Sequence, residues 1–187
     1  WGKEDFESYN QKVPRFMSEF GFQSFPEFSS VDKYTNESDY SIYSEVMKSH
    51  QRSSIGNSTI EDYMLRHYNK PKSFKGYLYV SQILQAYGMS IGMESHRRNK
   101  GYSMGSLYWQ LNDCWPVASW SSIDYFGKWK ALHYSTKKAF QPVLINFLKT
   151  DSEIELHIIS DLLESKKVDL NLKVLSFSGE VLYELNK

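Results

Sequence analysis

The chain has 187 residues, with 22 Lys plus Arg and 22 Asp plus Glu, so its formal net charge is zero. This balance argues against duplex nucleic acid or a membrane surface as a partner, because both kinds of binding require clustered positive charge. The 11 Phe, 5 Trp and 14 Tyr exclude a disordered chain, and the single cysteine, Cys114, excludes an internal disulfide.

The first predicted element is a short strand over residues 13–21. Arg15, Met17 and Glu19 alternate along it and therefore fall on one face of the strand. Gly21 ends the strand, and an aromatic loop follows.

Three helices are predicted before residue 100. The first covers residues 37–49, and a polar loop at 51–58 separates it from a short amphipathic helix that ends at Pro71. The third helix, between Gly76 and Lys100, is the clearest, because its apolar residues recur at i, i+3, i+4 and i+7. These residues are Val80, Ile83, Leu84, Tyr87 and Ile91.

A second strand and a fourth helix follow. Residues 104–111 (MGSLYWQL) are almost continuously apolar, which predicts a strand buried on both faces, as in a parallel sheet. Residues 112–127 predict a long aromatic loop, and an amphipathic helix covers about 128–141. The order strand, helices, strand, helix is typical of an α/β fold.

The periodicity changes at Pro142. Residues 153–158 and 168–174 alternate apolar and polar positions, and a Ser-Gly turn leads into residues 181–185. This pattern predicts half-buried antiparallel strands of a second domain. Because an immunoglobulin-like sandwich needs about 100 residues, this domain is predicted to be truncated.

Glu19 is the first candidate for chemistry. It lies at the C-terminal end of its predicted strand, where barrels of alternating strands and helices carry their active sites. The alternative is a purely structural carboxylate, ion-paired with Arg15 two residues earlier on the same face.

Trp109 is the second candidate. The face of a tryptophan can bind the apolar face of a pyranose, and neighbouring Gln or Asn side chains can bind its hydroxyls. The alternative is a tryptophan of the core. Trp115, Trp120 and Trp129 crowd into the following stretch, which suits either a sugar platform or a plug beneath the second domain.

The sequence predicts no metal and no cofactor. Its five histidines lack the spacing of zinc ligands. It also contains no glycine-rich phosphate loop, and the residues around Glu19 do not form a serine nucleophile elbow.

Two blocks resemble a known family. Residues 15–26 (RFMSEFGFQSFP) resemble the nucleophile segment of β-mannosidases of glycoside hydrolase family 2. Residues 104–116 (MGSLYWQLNDCWP) resemble the eighth-strand segment of the same enzymes, and the similarity continues to residue 134. Residues 22–26 favour a mannosidase over the related β-galactosidases and β-glucuronidases.

The resemblance implies a domain organisation. Residues 1–142 would form the C-terminal part of a (β/α)8 TIM barrel, namely strands seven and eight with their helices. Residues 143–187 would begin an immunoglobulin-like antiparallel β-sandwich. The family's acid/base Glu follows an Asn at the end of strand four, which would precede residue 1. We therefore expect the chain to complete its fold with an upstream part of the same protein, and to be inactive alone.

The resemblance also implies a function. The parent protein would be a retaining exo-β-mannosidase that hydrolyses terminal, non-reducing β-D-mannose from oligosaccharides, without a cofactor. Glu19 would be the nucleophile, Trp109 would form the floor of the mannose subsite, and Trp1 would line the pocket. The oligosaccharide is the expected partner, with no nucleic acid and no membrane; a periplasmic or secreted location is slightly favoured.

Three alternatives stay open. The chain could be a carbohydrate-binding segment that binds sugar but does not catalyse its hydrolysis. It could belong to another family 2 glycosidase, of the β-galactosidase or β-glucuronidase type. It could also be a structural α/β domain with a buried tryptophan cluster.

Overall fold

A computed structural model describes residues 4–187. Over this range the chain forms 3₁₀ helices at Phe6–Asn10 and Glu37–Asp39. The α-helices are α1 (Phe28–Val31), α2 (Glu45–Ser49), α3 (Gly56–His67), α4 (Phe74–Arg98) and α5 (Ala131–Ala139). The strands are β1 (Met17–Phe20), β2 (Ser106–Tyr108), β3 (Val143–Lys149), β4 (Ile154–Ser160), β5 (Asn171–Leu175) and β6 (Val181–Asn186).

The strands pair into three two-stranded sheets within the described residues. β1 and β2 are parallel, whereas β3–β4 and β5–β6 are antiparallel hairpins. The antiparallel strands predicted after Pro142 are therefore present as β4, β5 and β6. The half-burial predicted for them is wrong for β5 and β6, because their residues are almost all exposed and no other described strand packs on this hairpin. β3 was not predicted, because its sequence VLINFLK is too continuously apolar to alternate.

The strand predicted over residues 104–111 is wrong in length and in burial. β2 contains only three residues, and Leu107 in its centre is 57% exposed. Within residues 4–187, β2 pairs with a single strand, β1. The apolar run therefore has one side that no described strand covers.

The single helix predicted over residues 37–49 is wrong, because residues 40–44 are not helical. The chain forms one short 3₁₀ turn, and α2 begins only at Glu45. A separate N-cap starts α2, because the Ser44 hydroxyl accepts a hydrogen bond from the backbone N–H of Met47 at 3.2 Å. Serine side chains favour such caps over the interior of a helix.

The remaining helices lie close to their predicted positions. α3 begins at Gly56, inside the segment 51–58 that was predicted as a loop, and ends before Pro71. α5 falls within the predicted range 128–141. Boundaries shift by a few residues because caps, rather than periodicity, decide them.

The buried face of α4 differs from the predicted apolar stripe. Tyr87 is exposed, whereas Gly88 and Gly92 lie in the interior. The two glycines permit close aromatic contacts: a Cβ on Gly88 would lie 2.4 Å from the ring of Phe6, and one on Gly92 would lie 2.6 Å from the ring of Phe20. A periodicity of large apolar residues cannot reveal a face that small residues form.

Two clusters of buried apolar side chains pack around α4. The larger surrounds its N-terminal half and consists of Phe6, Phe25, Val31, Ile42, Met47, Ile60, Tyr63, Met64, Leu78, Leu84 and Ala118. The smaller consists of Phe20, Met89, Met93, Leu132 and Ala139. α4 thus supports both β1 and α5. None of the helices in residues 4–187 has the length and apolar character needed to cross a bilayer.

Candidate functional site

The carboxyl ends of β1 and β2 lie side by side. The two strands run parallel, with Phe20 opposite Tyr108. Immediately after β2, the backbone N–H of Trp109 donates a hydrogen bond to the carbonyl of Phe20 at 2.7 Å. Glu19 therefore lies beside the beginning of the segment that carries Trp109.

Glu19 and Trp109 line one cavity of about 880 Å³. Gln110 and Trp120 line it as well. Its volume falls within the range of about 300–1,000 Å³ that small-molecule sites occupy. Two of the three predicted site residues thus share one cavity, while Trp1 lies outside the described residues.

Three carboxyl side chains line this cavity among residues 4–187: Glu4, Asp5 and Glu19. Glu4 is hydrogen-bonded to Lys12, and Asp5 is bonded to His67 at 2.7 Å. Glu19 is exposed and has neither an ion pair nor a side-chain hydrogen bond to any described residue. Glu19 is therefore the carboxylate on this wall that is available to a ligand.

The ion pair between Glu19 and Arg15, which was the structural alternative, is not formed. The guanidinium of Arg15 lies over the ring of Tyr102, 5.0 Å from its centroid. The guanidinium is therefore engaged by the Tyr102 ring rather than by the Glu19 carboxylate.

Trp109 is 44% exposed and is therefore not part of the core that residues 4–187 form by themselves. The amide of Gln110, the next residue, is held in place because its Nε2 donates to the Asp113 carboxylate at 3.1 Å and to the Asn112 carbonyl at 3.0 Å. The peptide bond between Trp109 and Gln110 is cis. The site therefore presents a partly open indole next to a positioned amide.

The other three tryptophans of residues 4–187 lie in different environments. Trp120 lines the same cavity as Glu19. Trp115 lines an adjoining cavity of about 460 Å³, and its ring lies 5.9 Å from that of His50. Trp129 packs against His133, with ring centroids 4.3 Å apart, and lines neither of these two cavities. Trp115, Trp120 and Trp129 therefore do not form one shared surface, whether as a sugar platform or as a plug beneath the second domain.

A buried polar network lies behind the cavity, and the sequence pattern did not predict it. The Asp113 carboxylate accepts hydrogen bonds from the hydroxyls of Ser119 at 2.7 Å and Ser121 at 2.5 Å. The Ser24 hydroxyl donates to Oε1 of Gln85, on the buried face of α4, at 2.7 Å. The density of serines in the predicted aromatic loop was the one hint of this network.

Lys130 lies inside the same network and is only 1% exposed. Its Nζ donates hydrogen bonds to the carbonyls of Ser24 at 3.1 Å and Ser119 at 3.3 Å. Burial lowers the pKa of Lys130 to about 7, and the negative charges of Asp113 and Asp124 oppose this shift.

The histidines of the described residues do not form a metal centre. Residues 4–187 contain no group of three His, Cys, Asp or Glu side chains arranged to hold a metal ion. His96 contacts both strands: its ring lies 5.0 Å from that of Phe20 in β1, and its Nδ1 is 2.8 Å from the Ser106 hydroxyl in β2. Burial lowers the pKa of His96 to about 4. It is therefore neutral at physiological pH.

Comparison with known proteins identifies the relatives of the chain. No protein-family model matches it. It is 37% identical over 178 residues to the β-mannosidase of Capra hircus, a match that covers 88% of this chain and 20% of that protein. It also superposes on the crystal structure of a β-D-mannosidase from Dictyoglomus thermophilum with a TM-score of 0.85 and 32% identity. The chain is related to the β-mannosidases.

The resemblance found in the two sequence blocks is therefore confirmed. The chain spans about a fifth of the length of the Capra hircus β-mannosidase and is covered completely by 24% of the Dictyoglomus thermophilum structure. The exo-chitosanase CsxA from Amycolatopsis orientalis shares the fold, with a TM-score of 0.78 but only 18% identity. The chain has the fold of one part of a larger β-mannosidase-type structure.

Gly21 permits the close approach of the two strand ends beside the cavity. A Cβ on Gly21 would lie 2.2 Å from the backbone carbonyl oxygen of Trp109. In the full-length protein, we expect Gly21→Ala to lower the unfolding free energy by about 1–3 kcal/mol, as overpacking does, and to lower kcat/KM as well. Thermal melts and steady-state kinetics measure the two effects.

Ser18→Ala is the matched control for this change, because Ser18 is an exposed neighbour on β1. It should leave both quantities nearly unchanged. A Gly21→Ala variant with the same melting temperature and kcat/KM as the Ser18→Ala variant would contradict the close approach of Gly21 and Trp109.

Proposed function

We propose that the full-length protein is a retaining exo-β-mannosidase that removes terminal, non-reducing β-D-mannose from oligosaccharides. The observation that carries this proposal is the shared cavity: the available carboxylate of Glu19 and the half-open ring of Trp109 line it together. The similarity to β-mannosidases supports mannose as the proposed sugar.

In the proposed mechanism, Glu19 is the nucleophile. Its carboxylate attacks C1 of mannose and forms an ester bond, while the bond from C1 to the leaving oxygen breaks and a second carboxyl group protonates that oxygen. Water, deprotonated by the second carboxylate, then attacks C1 and releases mannose and free Glu19. Two inversions at C1 give net retention, and such a pair of carboxyl groups is separated by about 5–5.5 Å.

We assign the acid/base carboxyl group to a residue outside 4–187. Of the described carboxyl groups on the cavity wall, Glu4 is bonded to Lys12 and Asp5 to His67. Asp5 also accepts the backbone N–H of Phe6 at 2.9 Å and so caps the first 3₁₀ helix. Neither carboxyl group is available to protonate a leaving group.

We assign Trp109 to the floor of the mannose subsite. An indole face excludes water from the C–H face of the sugar, and the adjacent Gln110 amide can bind a hydroxyl. Trp1 would complete the pocket wall, as the family resemblance implies.

We infer that the described elements belong to two domains. The parallel pair β1–β2 with α4 and α5 supports residues 1–142 as the last part of a (β/α)8 barrel, because parallel strands need crossover connections such as α4. The antiparallel hairpins β3–β4 and β5–β6 support residues 143–187 as the beginning of an immunoglobulin-like sandwich.

The same cavity supports a second function for residues 1–187 taken alone. With one available carboxylate on the described wall, these residues can hold a mannoside against Trp109, but they lack the partner that would protonate the leaving oxygen. They would therefore bind sugar without turning it over.

The decisive experiment compares substrates and the stereochemistry of the product. The full-length protein should hydrolyse 4-nitrophenyl β-mannoside with a higher kcat/KM than the corresponding β-glucosaminide, β-galactoside and β-glucuronide. Proton NMR should show β-mannose as the first product, because the mechanism retains configuration. α-Mannose as the first product would overturn the role of Glu19, and a preference for another glycoside would overturn the substrate.

A further inference from the structure

The segments that follow β1 and β2 are joined behind the cavity. Ser24 comes five residues after Glu19, and Ser119 comes ten residues after Trp109. The Ser24 N–H donates to the Ser119 carbonyl at 2.9 Å, and the Ser119 N–H donates to the Ser24 carbonyl at 3.3 Å. This reciprocal pair fixes the two segments relative to each other.

Lys130 binds both carbonyls of that pair from the buried side, at 3.1 and 3.3 Å. It lies at the N-cap of α5, so a third element is tied to the junction. α4 also reaches the junction, because Gln85 accepts the Ser24 hydroxyl and its Nε2 donates to the Phe22 carbonyl at 2.7 Å. Lys130 therefore ties both segments to the start of α5, and Gln85 ties the segment after Glu19 to α4.

The acceptors near Lys130 do not depend on it for their hydrogen bonds. The two serine carbonyls bond each other's N–H groups, and Asp113 is satisfied by two serine hydroxyls and by Gln110. Asp124 accepts the Ser30 hydroxyl at 2.5 Å and the backbone N–H groups of Phe126 and Lys128 at 2.9 Å. Removal of Lys130 would leave none of these oxygens without a donor.

Stability therefore does not explain why a lysine occupies this place. Removing a charged group from water is unfavourable, and replacing it with an apolar side chain of similar volume often leaves a protein equally or more stable. What Lys130 supplies, and an apolar side chain does not, is one nitrogen that donates hydrogen bonds to both carbonyls of the Ser24–Ser119 pair.

We infer that Lys130 is a positioning residue of the proposed glycosidase site: it holds the segment after Glu19 and the segment after Trp109 in the register that catalysis needs. This inference rests on the proposed function. The lysine does not touch the cavity and acts only through the two segments.

The test compares Lys130→Met with Lys128→Met in the full-length protein, using 2-deoxy-2-fluoro-β-mannosyl fluoride to trap the nucleophile. Lys128 lies two residues away and pairs at the surface with Glu27, so its variant is a matched control. Mass spectrometry gives the fraction of protein labelled at Glu19 and the rate constant of labelling. In Lys130→Met the labelled fraction should stay complete while the rate constant falls about 10- to 100-fold, since small misplacements cost about that much.

A merely structural role gives the opposite result. The labelled fraction would fall with the loss of folded protein, while the remaining sites would react at the wild-type rate, and this would overturn the inference.

The double variant Lys130→Met/Asp124→Asn removes a cation together with one carboxylate and so keeps the net charge of the network. It should also label slowly; labelling at the wild-type rate, or failure of both variants to fold, would overturn the inference.

The inference and the proposed function fail in different ways. If the wild-type protein is not labelled at Glu19, the proposed function is overturned and the inference with it. If the wild type is labelled at Glu19 and Lys130→Met is labelled equally fast, only the positioning role of Lys130 is overturned.

Discussion

Replacing Glu19 with Gln in the full-length protein is expected to reduce kcat for β-mannosides by several orders of magnitude. The amide keeps the size of the side chain but cannot attack C1, so the covalent intermediate does not form. Because Glu19 is exposed and has no ion pair or side-chain hydrogen bond to any of residues 4–187, its replacement should leave the melting temperature nearly unchanged. Steady-state kinetics and a thermal melt separate these two effects.

Glu4→Gln is the matched control, because Glu4 lines the same cavity but is engaged by Lys12. That variant should keep most of the activity. A Glu19→Gln variant that retains a tenth of the wild-type kcat would contradict the assignment of the nucleophile. Labelling by a 2-deoxy-2-fluoro mannosyl inhibitor on a peptide that lacks Glu19 would contradict it as well.

Replacing Trp109 with Ala is expected to lower kcat/KM for β-mannosides by about 10- to 1,000-fold, because a stacking surface of about 1–3 kcal/mol is lost and the sugar is less well oriented. Trp109→Phe should recover part of this loss, since a smaller aromatic face remains. Steady-state kinetics on an aryl β-mannoside measures both variants.

Trp129→Ala is the matched control for the tryptophan prediction. Trp129 is also 44% exposed, but it packs against His133 and lines neither of the two cavities. Equal losses of kcat/KM in the two variants would show that Trp109 is not a specific sugar platform. If the Trp109→Ala variant fails to fold, Trp109 is a structural residue of the core and not a sugar-binding one.

The sequence by itself was sufficient to recognise the family. The two blocks at residues 15–26 and 104–116 are contiguous, so the resemblance could be seen without any knowledge of tertiary contacts. The same blocks contain Glu19 and Trp109. Their meeting in one cavity follows from parallel strands whose carboxyl ends share an edge, as the α/β pattern predicted.

The local pattern failed where burial depends on a distant partner. The run at 104–111 predicts a strand buried on both faces, but burial requires neighbours on both sides, and within residues 4–187 β2 has only β1. On α4, Gly88 and Gly92 form the interior because the rings of Phe6 and Phe20 need the space. Neither ring can be assigned to its glycine from the pattern of α4 alone.

The network around Lys130 could be found only from the tertiary structure. Ser24 and Lys130 are 106 residues apart in the chain, and Gln85 is 61 residues from Ser24, yet all three meet behind the cavity. In the sequence, Lys130 is one lysine among several at the start of an amphipathic helix, with nothing to distinguish it from the surface lysine Lys128. Local propensity and periodicity report which side chains share a face, whereas a buried charge is defined by groups that only folding brings together.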